Sequence, residues 1–315
     1  MSLKANNISF NGEVKVKKSL SDIIKNPNVY VGDINNNLVY KIDSSGNEIW
    51  NFNNHTDSIR SVAVDSDGNV YSGSVDRTVR KIDSSGNEIW NFNNHTDSIR
   101  SVAVDSDGNV YSGSFDNTVR KIDSSGNELW QFTNHTSGVR SVAVDNNGNV
   151  YSASSDQTVR KIDSSGNELW QFTNHTSSVY SITVDNNGNV YSGSADQTVR
   201  KIDSSGNELW QFTNHTSDVR SVAVDNNGNV YSGSADQTVR KIDSSGNELW
   251  QFTNHTNSIH SVVVDQNGNI YSSSSGKTLR KLNSLGNELW KYDSNNDILW
   301  GLAVDPGTVG AGFWK

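Results

Sequence analysis

His, Ser and Asp recur together in this chain, and those are the side chains of a base, a nucleophile and an acid. One set is His55, Ser72 and Asp76. The others are His95, Ser112 and Asp116; His135, Ser152 and Asp156; His175, Ser192 and Asp196; and His215, Ser232 and Asp236. Catalysis by such a set needs an exposed nucleophile and N–H donors placed for an oxyanion. Repeated copies suit another task better, the pairing of buried polar groups and the fixing of turns. The expectation is a structural hydrogen-bond network, with no catalytic residue and no enzyme activity.

Two further patterns suggest chemistry. Asp65-Ser-Asp-Gly-Asn69 has the acids of a calcium loop, but it lacks the bidentate Glu and the 12-residue length such a loop needs. Later copies replace Asp67 by Asn, so a hairpin turn is the better reading and no metal is expected. Asn54-His-Thr56 is an N-glycosylation sequon, repeated at 94, 134, 174, 214 and 254. The N-terminus shows no apolar signal-peptide core, so the sequon is read as incidental. The expected location is cytoplasmic or particle-associated. No cysteine is present, which excludes disulfides, thiolate metal sites and a thiol nucleophile. No cofactor is expected.

The spacing of these groups requires a repeated scaffold. Trp50, Trp90, Trp130, Trp170, Trp210, Trp250 and Trp290 fall at a period of 40 residues. A period of that size fixes the architecture. One unit predicts four short strands: a over 58–64, b over 70–74, c over 78–83 and d over 87–92. The a–b and c–d links put Gly fourth, at Gly68 and Gly86, where a left-handed residue closes a type I turn. All segments are too short for helices and rich in β-branched residues. Neighbouring units must cover each other's faces, and radial closure leaves no open stack.

Strand a occurs seven times, ending with Ile298–Val304. Strands b, c and d also occur seven times, beginning near Val29. The fold class is therefore all-β: a seven-bladed β-propeller of four-stranded antiparallel blades. Its ring closes when N-terminal strands b, c and d pair with a C-terminal strand a. The predicted organisation is an extension over 1–27 with a hairpin at 8–16, a propeller over 28–305 and a tail over 306–315. Pro27 and Pro306 flank the ring.

Bulk properties narrow the partners. The chain has 315 residues and a net charge of −9, with no Lys/Arg run. That disfavours a nucleic acid. No apolar run approaches the ~20 residues of a membrane span.

At the level of motifs, the units resemble the WD-repeat propeller family. Asn54-His55 stands for the family's Gly-His, and Ser72-Gly-Ser-Val-Asp-Arg-Thr-Val-Arg-Lys-Ile-Asp83 follows its inner-strand pattern. Two departures are clear: Asn for the Gly before His, and Ile82 for the Trp of Trp-Asp. The outer Asp-Ser-Ser-Gly-Asn-Glu-Leu-Trp is similar to quinoprotein-type repeats. The WD resemblance implies a His–Ser–Asp–Trp network in each blade, here without its Trp and so weaker. It also implies that contact residues lie just before strand a, at its start and beside the b–c Asp.

Those are the positions at which the copies differ. Position 58 carries Ser58, Ser98 and Asp218 among others. Position 60 carries Arg60, Arg100, Arg140, Tyr180, Arg220, His260 and Trp300. Position 75 carries Val75, Phe115 and Ser155, with 77 varying alongside. In a four-stranded meander, d–a loops and b–c turns share one end, so these sets are expected on one face. Arg and aromatic side chains favour an interaction surface. Alternatively, each Arg is paired with Asp57, Asp97 or Asp218 and is merely solvated. The expected function is a non-enzymatic scaffold binding a protein partner. The alternatives are a multivalent binder of glycans or cell surfaces, which gains by avidity, and a quinoprotein-like oxidoreductase.

Overall fold

The computed structural model describes residues 28–43, 47–293 and 299–305. The 1–27 extension with its hairpin, Pro27, Ile298, Pro306 and the 306–315 tail lie outside the described residues. Every regular element described is a strand, and the strands form seven four-stranded antiparallel sheets.

The first full unit runs through strands Ile59–Val64, Val70–Ser74, Val79–Ile82 and Glu88–Phe92. Each blade is covered by a neighbour on both faces, so the two buried residues of a short strand can point to opposite blades, Val79 to the next and Ile82 to the preceding one. In strand c, Val79 and Ile82 are buried while Arg80 and Lys81 reach the surface layer. Strand b is buried on both faces, which is why it needs small residues. A Cβ on Gly73 would stand 2.6 Å from Ile99 of the next blade. The a–b turn is closed by Gly68 at φ 80° and the c–d turn by Gly86 at φ 96°, a conformation that only glycine adopts freely. Asp65 braces the first of these turns. Its carboxylate accepts from the N–H groups of Asp67 and Asn69 and from the Tyr71 hydroxyl.

The apolar core lies between blades. One cluster joins Tyr71, Val79 and Phe92 of one blade to Ile99, Val102, Val110 and Ile122 of the next, with Trp90 packed against it. Equivalent clusters recur around the ring. Successive a strands touch in an unbroken cycle, including the 299–304 strand against the 59–64 strand. Serine hydroxyls stitch many of these neighbours: Ser61 Oγ accepts from Val102 N at 3.0 Å, and Ser101 Oγ from Val142 N at 3.0 Å.

Closure uses both ends of the described chain. Leu299–Val304 forms strand a of the sheet that continues through Val29–Asp33, Val39–Ile42 and Glu48–Phe52. Asp305 spans the seam. Its carboxylate accepts from Asn28 Nδ2 at 2.6 Å and from the Tyr30 hydroxyl at 2.7 Å. It thus does across the two ends what Asp65 does within one turn.

Candidate interaction face

The His–Ser–Asp sets are brought together in five blades. In the 59–92 blade His55 Nδ1 stands 2.7 Å from Asp76 Oδ2, and His55 Nε2 stands 2.7 Å from Ser72 Oγ. His95, His135, His175 and His215 repeat both contacts at 2.7–2.8 Å. These imidazoles have no exposed side-chain surface. Burial by itself would raise the Asp76 pKa. Bonds from His55, Thr78 and the Thr56 N–H outweigh it and hold the carboxyl well below the usual range. Ile82, where the WD pattern has Trp, is buried among apolar side chains, so the relay ends at the serine. The buried serines cannot meet a solvent-borne substrate. The arrangement fastens each d–a loop to its own b–c turn.

That fastening brings positions 58 and 75 together. Val75 N donates to Ser58 O at 2.9 Å, Phe115 N to Ser98 O at 2.9 Å, Ser155 N to Gly138 O at 2.9 Å and Ala235 N to Asp218 O at 2.8 Å. Contacts also cross between blades. Ser58 Oγ donates to Ile34 O in the preceding blade. A Cβ on Gly138 would meet the Phe115 ring at 2.5 Å, so the largest residue at position 75 faces the only glycine at position 58.

Position 60 is set by backbone irregularity. Ile59 pairs with Ser74 and Ser61 with Gly73, which leaves Arg60 as the extra residue of a β-bulge. Arg100, Arg140, Tyr180, Arg220 and His260 occupy the same bulge in their blades. A bulge bends its strand and re-aims a side chain. Here the re-aimed side chains meet one another around the axis. His260 stacks on Trp300 with centroids 3.7 Å apart, Arg60 lies 4.6 Å from the Trp300 ring, and Arg220 Nη1 reaches His260 Nδ1 at 3.3 Å. On the other side Arg100 and Arg140 share the Phe115 ring, at 3.8 and 5.1 Å, and Arg140 also lies over Tyr180 at 4.6 Å.

None of these four arginines forms an ion pair with a described carboxylate. Asp57 and Asp97 are engaged elsewhere, each accepting the N–H of the next serine at 2.6 Å. Burial draws the Arg100 guanidinium down to about 10, with Arg60 and Arg140 adding like-charge repulsion. His260 is pushed down to about 3, again by burial first and then by Arg220 and Arg60. Below the ring lies a cavity of about 730 Å³, lined by Val62, Val102, Val142 and Val222 and continuing to the Asp145–Asn147 and Asp225–Asn227 turns. The position-60 side chains do not line it. The axis is therefore lined by arginine and aromatic groups at one end and opens among asparagine-rich turns at the other.

A second asymmetry separates the two faces. On the a–b and c–d side, every described residue with positive φ is glycine, twelve in all. On the b–c side there are seven such residues, and none is glycine: Asn37, Arg77, Asn117, Gln157, Gln197, Gln237 and Lys277. A left-handed backbone costs a side-chain-bearing residue about 1–2 kcal/mol. Strain of this kind concentrates at functional sites. Arg77, Gln157, Gln197 and Gln237 are exposed, so their side chains are kept on this face without packing to justify them.

Three features escape sequence reasoning: the bulge at position 60, the left-handed residue at 77 and the role of Asn54. Asn54 Nδ2 donates to Glu88 Oε2, which also receives Arg80 Nη1. That clamp ties the start of the d–a loop to strand d of the blade the loop leads into, and it gives Asn at this position a role that Gly could not fill. The regular return of Glu at 88, 128, 168, 208 and 248 was the available signal. Among the described residues no group of three or more His, Asp or Glu could hold a metal.

Comparison with known proteins adds one match. A family model described as outer membrane protein assembly factor BamB matches residues 35–135, 75–193, 115–236 and 235–310, overlapping segments that together cover most of the chain. No curated protein matches.

Proposed function

Because the chain belongs to the propeller family of the outer membrane protein assembly factor BamB, we propose that it is a non-enzymatic scaffold that docks a protein partner on the face of the d–a loops and b–c turns. The name of that family describes assembly, which is consistent with a binding propeller. Nothing in the match favours the oxidoreductase alternative. The observation that carries the reading is the distribution of difference. Units that are otherwise nearly identical diverge at positions 58, 60, 75 and 77, and those side chains gather at one end of the axis. The likeness of the inner strands to WD repeats supports the same contact positions. Asn, Gln and Arg side chains retained in a strained backbone on that face support it further.

The test is positional. A photo-crosslinking residue is placed at 75, 155 or 195 on the proposed face, or at 106 or 146 on the other, in cells of the source organism. Adducts of one protein from the first set alone support the reading. Equal adducts from both sets, or adducts from 106 and 146 only, refute it.

A second reading rests on the opposite face. The groove between two blades there, about 210 Å³, is lined by Asp105, Asp107, Asn109, Lys121, Asn147 and Ser164, and similar residue types recur every 40 positions. Repeated polar grooves suit a multivalent glycan binder. A glycan titration with a stoichiometry near the number of blades would favour it over the scaffold reading.

A further inference from the structure

Two guanidinium groups on the proposed face lack any acceptor. Arg60 and Arg100 make no hydrogen bond or ion pair with the described residues, and the buried Nε of each has no partner. Arg80, Arg120 and Arg280 also leave Nε unpaired, but each of these is tied to a glutamate through Nη1. An arginine presents five donors in a planar fork that matches a carboxylate. Buried donors without acceptors call for an explanation. Arg60 and Arg100 stand on adjacent a strands, with Arg140 next in line. Their aromatic neighbours, Trp300 and Phe115, lie 3.8–5.1 Å from the guanidinium carbons and offer cation–π contact but no negative charge.

The surroundings indicate what would fill the gap. The b–c turns of the Arg60, Arg100 and Arg140 blades carry Arg77, Asn117 and Gln157, and the amides among them pair with peptide N–H and C=O. Asp57 and Asp97 each give one oxygen to the next serine's N–H and attract Arg60 and Arg100 through space without forming an ion pair with them. The chain as a whole carries a net charge of −9, but this cluster is locally positive, and a negative group is attracted to it at short range.

We propose that the Arg60–Arg100–Arg140 side of the axial ring receives an aspartate or glutamate side chain from a peptide segment of the partner. This rests on the scaffold reading and adds its chemistry. The carboxylate takes the forked donors of Arg60 and Arg100. The segment's backbone runs outward over the b–c turns of these blades, where the Asn117 and Gln157 amides meet it. The other side of the ring, where Arg220 bonds His260 and Trp300 stacks on it, is already internally satisfied and takes no part.

The probe is a fluorescent dodecapeptide rich in glutamate, compared with the same peptide carrying glutamine throughout. Wild type is expected to bind the first at least ten-fold more tightly, with affinity falling as salt rises. The pair Arg60→Gln and Arg100→Gln should remove that preference, while Lys161→Gln on the opposite face leaves it intact. Equal binding of the two peptides, or an unchanged preference in the arginine pair, overturns the proposal. Inorganic phosphate that displaces the peptide with equal potency overturns it too, by assigning the site to a free oxyanion. The pair gives up two cation–π contacts and removes two buried unpaired Nε groups, so its thermal melting should stay close to that of wild type. If the photo-crosslinked partner is still captured by the arginine pair, this proposal fails and the scaffold reading survives. If wild type gives no adduct from 75, 155 or 195 yet prefers the glutamate peptide, the scaffold reading fails and the anion site stands.

Discussion

Replacing Arg77, Gln157, Gln197 and Gln237 together by glycine should make this protein more stable and a poorer binder. Each of the four holds φ between 69° and 72°. The left-handed region costs a residue with a Cβ about 1–2 kcal/mol, and glycine's greater freedom in the unfolded chain returns roughly 0.5–1 of that. The net gain is then about 0.5–1 kcal/mol per site. All four side chains are exposed and hold no described partner, so truncation removes no contact to set against it. The sites stand on four different blades and should add, giving about 2–4 kcal/mol. At roughly 2 °C per kcal/mol for a chain of this size, Tm should rise by roughly 4–8 °C. Calorimetry at neutral pH measures the rise, and the crosslinking assay measures the accompanying loss of partner. A Tm that is unchanged or lower would show that the b–c turns carry no such strain. The argument that side chains are retained there for contact would then fall.

Other expectations concern the network and the loops. In the last complete blade Gly276 stands where five other blades have aspartate, and His255 keeps its serine at 2.7 Å without a carboxylate. Gly276→Asp should restore the pair and stabilise by about 1–2 kcal/mol; a Tm equal to wild type would refute the equivalence of the blades. His255 and His260 are both pushed down to about 3, burial being the larger cause, with Arg280 beside the first and Arg220 and Arg60 beside the second. A folded pKa below the unfolded value of about 6.5 means that stability is full above pH 6.5 and declines as pH falls toward 3. Each histidine should cost about 2 kcal/mol at pH 5. The double substitution His255→Gln and His260→Gln should therefore melt with a weaker dependence between pH 7 and 5, and parallel curves for the two proteins would contradict this. Gly138→Ser should destabilise by about 1 kcal/mol through the Phe115 ring and be rescued by Phe115→Ala, the serine–alanine pairing already present at Ser258 and Ala235. A double-mutant cycle with no coupling would deny the contact.

Much of the architecture is legible in the amino-acid order because it depends on local chemistry repeated at a fixed interval. Val79–Ile82 and its sister segments are β-branched, too short for a helix and bounded by turn residues, and that assigns the strands. Gly68 and Gly86 mark turns because few other residues tolerate their φ. The count of a strands against b, c and d strands implies closure through Leu299–Val304. What remains hidden depends on pairs of segments. Arg60 sits on a bulge only because Ile59 and Ser61 oppose consecutive residues of another strand, a register that no single segment encodes. Gln157 reads as an ordinary polar turn residue until its φ is known. The sequence also left open whether Arg60 and Arg100 pair with Asp57 and Asp97. Both aspartates instead cap the backbone beside them, as a short acid before serine readily does.

The seam at Asp305 has a bearing on how the chain is made. Tyr30 leaves the ribosome early, yet its partner carboxylate is translated 275 residues later. At about 5–20 residues per second that interval is roughly 15–50 s. Throughout it the 29–33 strand has one edge without its neighbour, while six complete sheets of similar sequence form beside it. Each of those nascent sheets offers an a strand that closely resembles the missing one. Trp300 and Gly301 distinguish Leu299–Val304 from its six siblings, and a Cβ on Gly301 would stand 2.9 Å from the Ser61 backbone, so the late strand is shaped for its seat against the 59–64 strand.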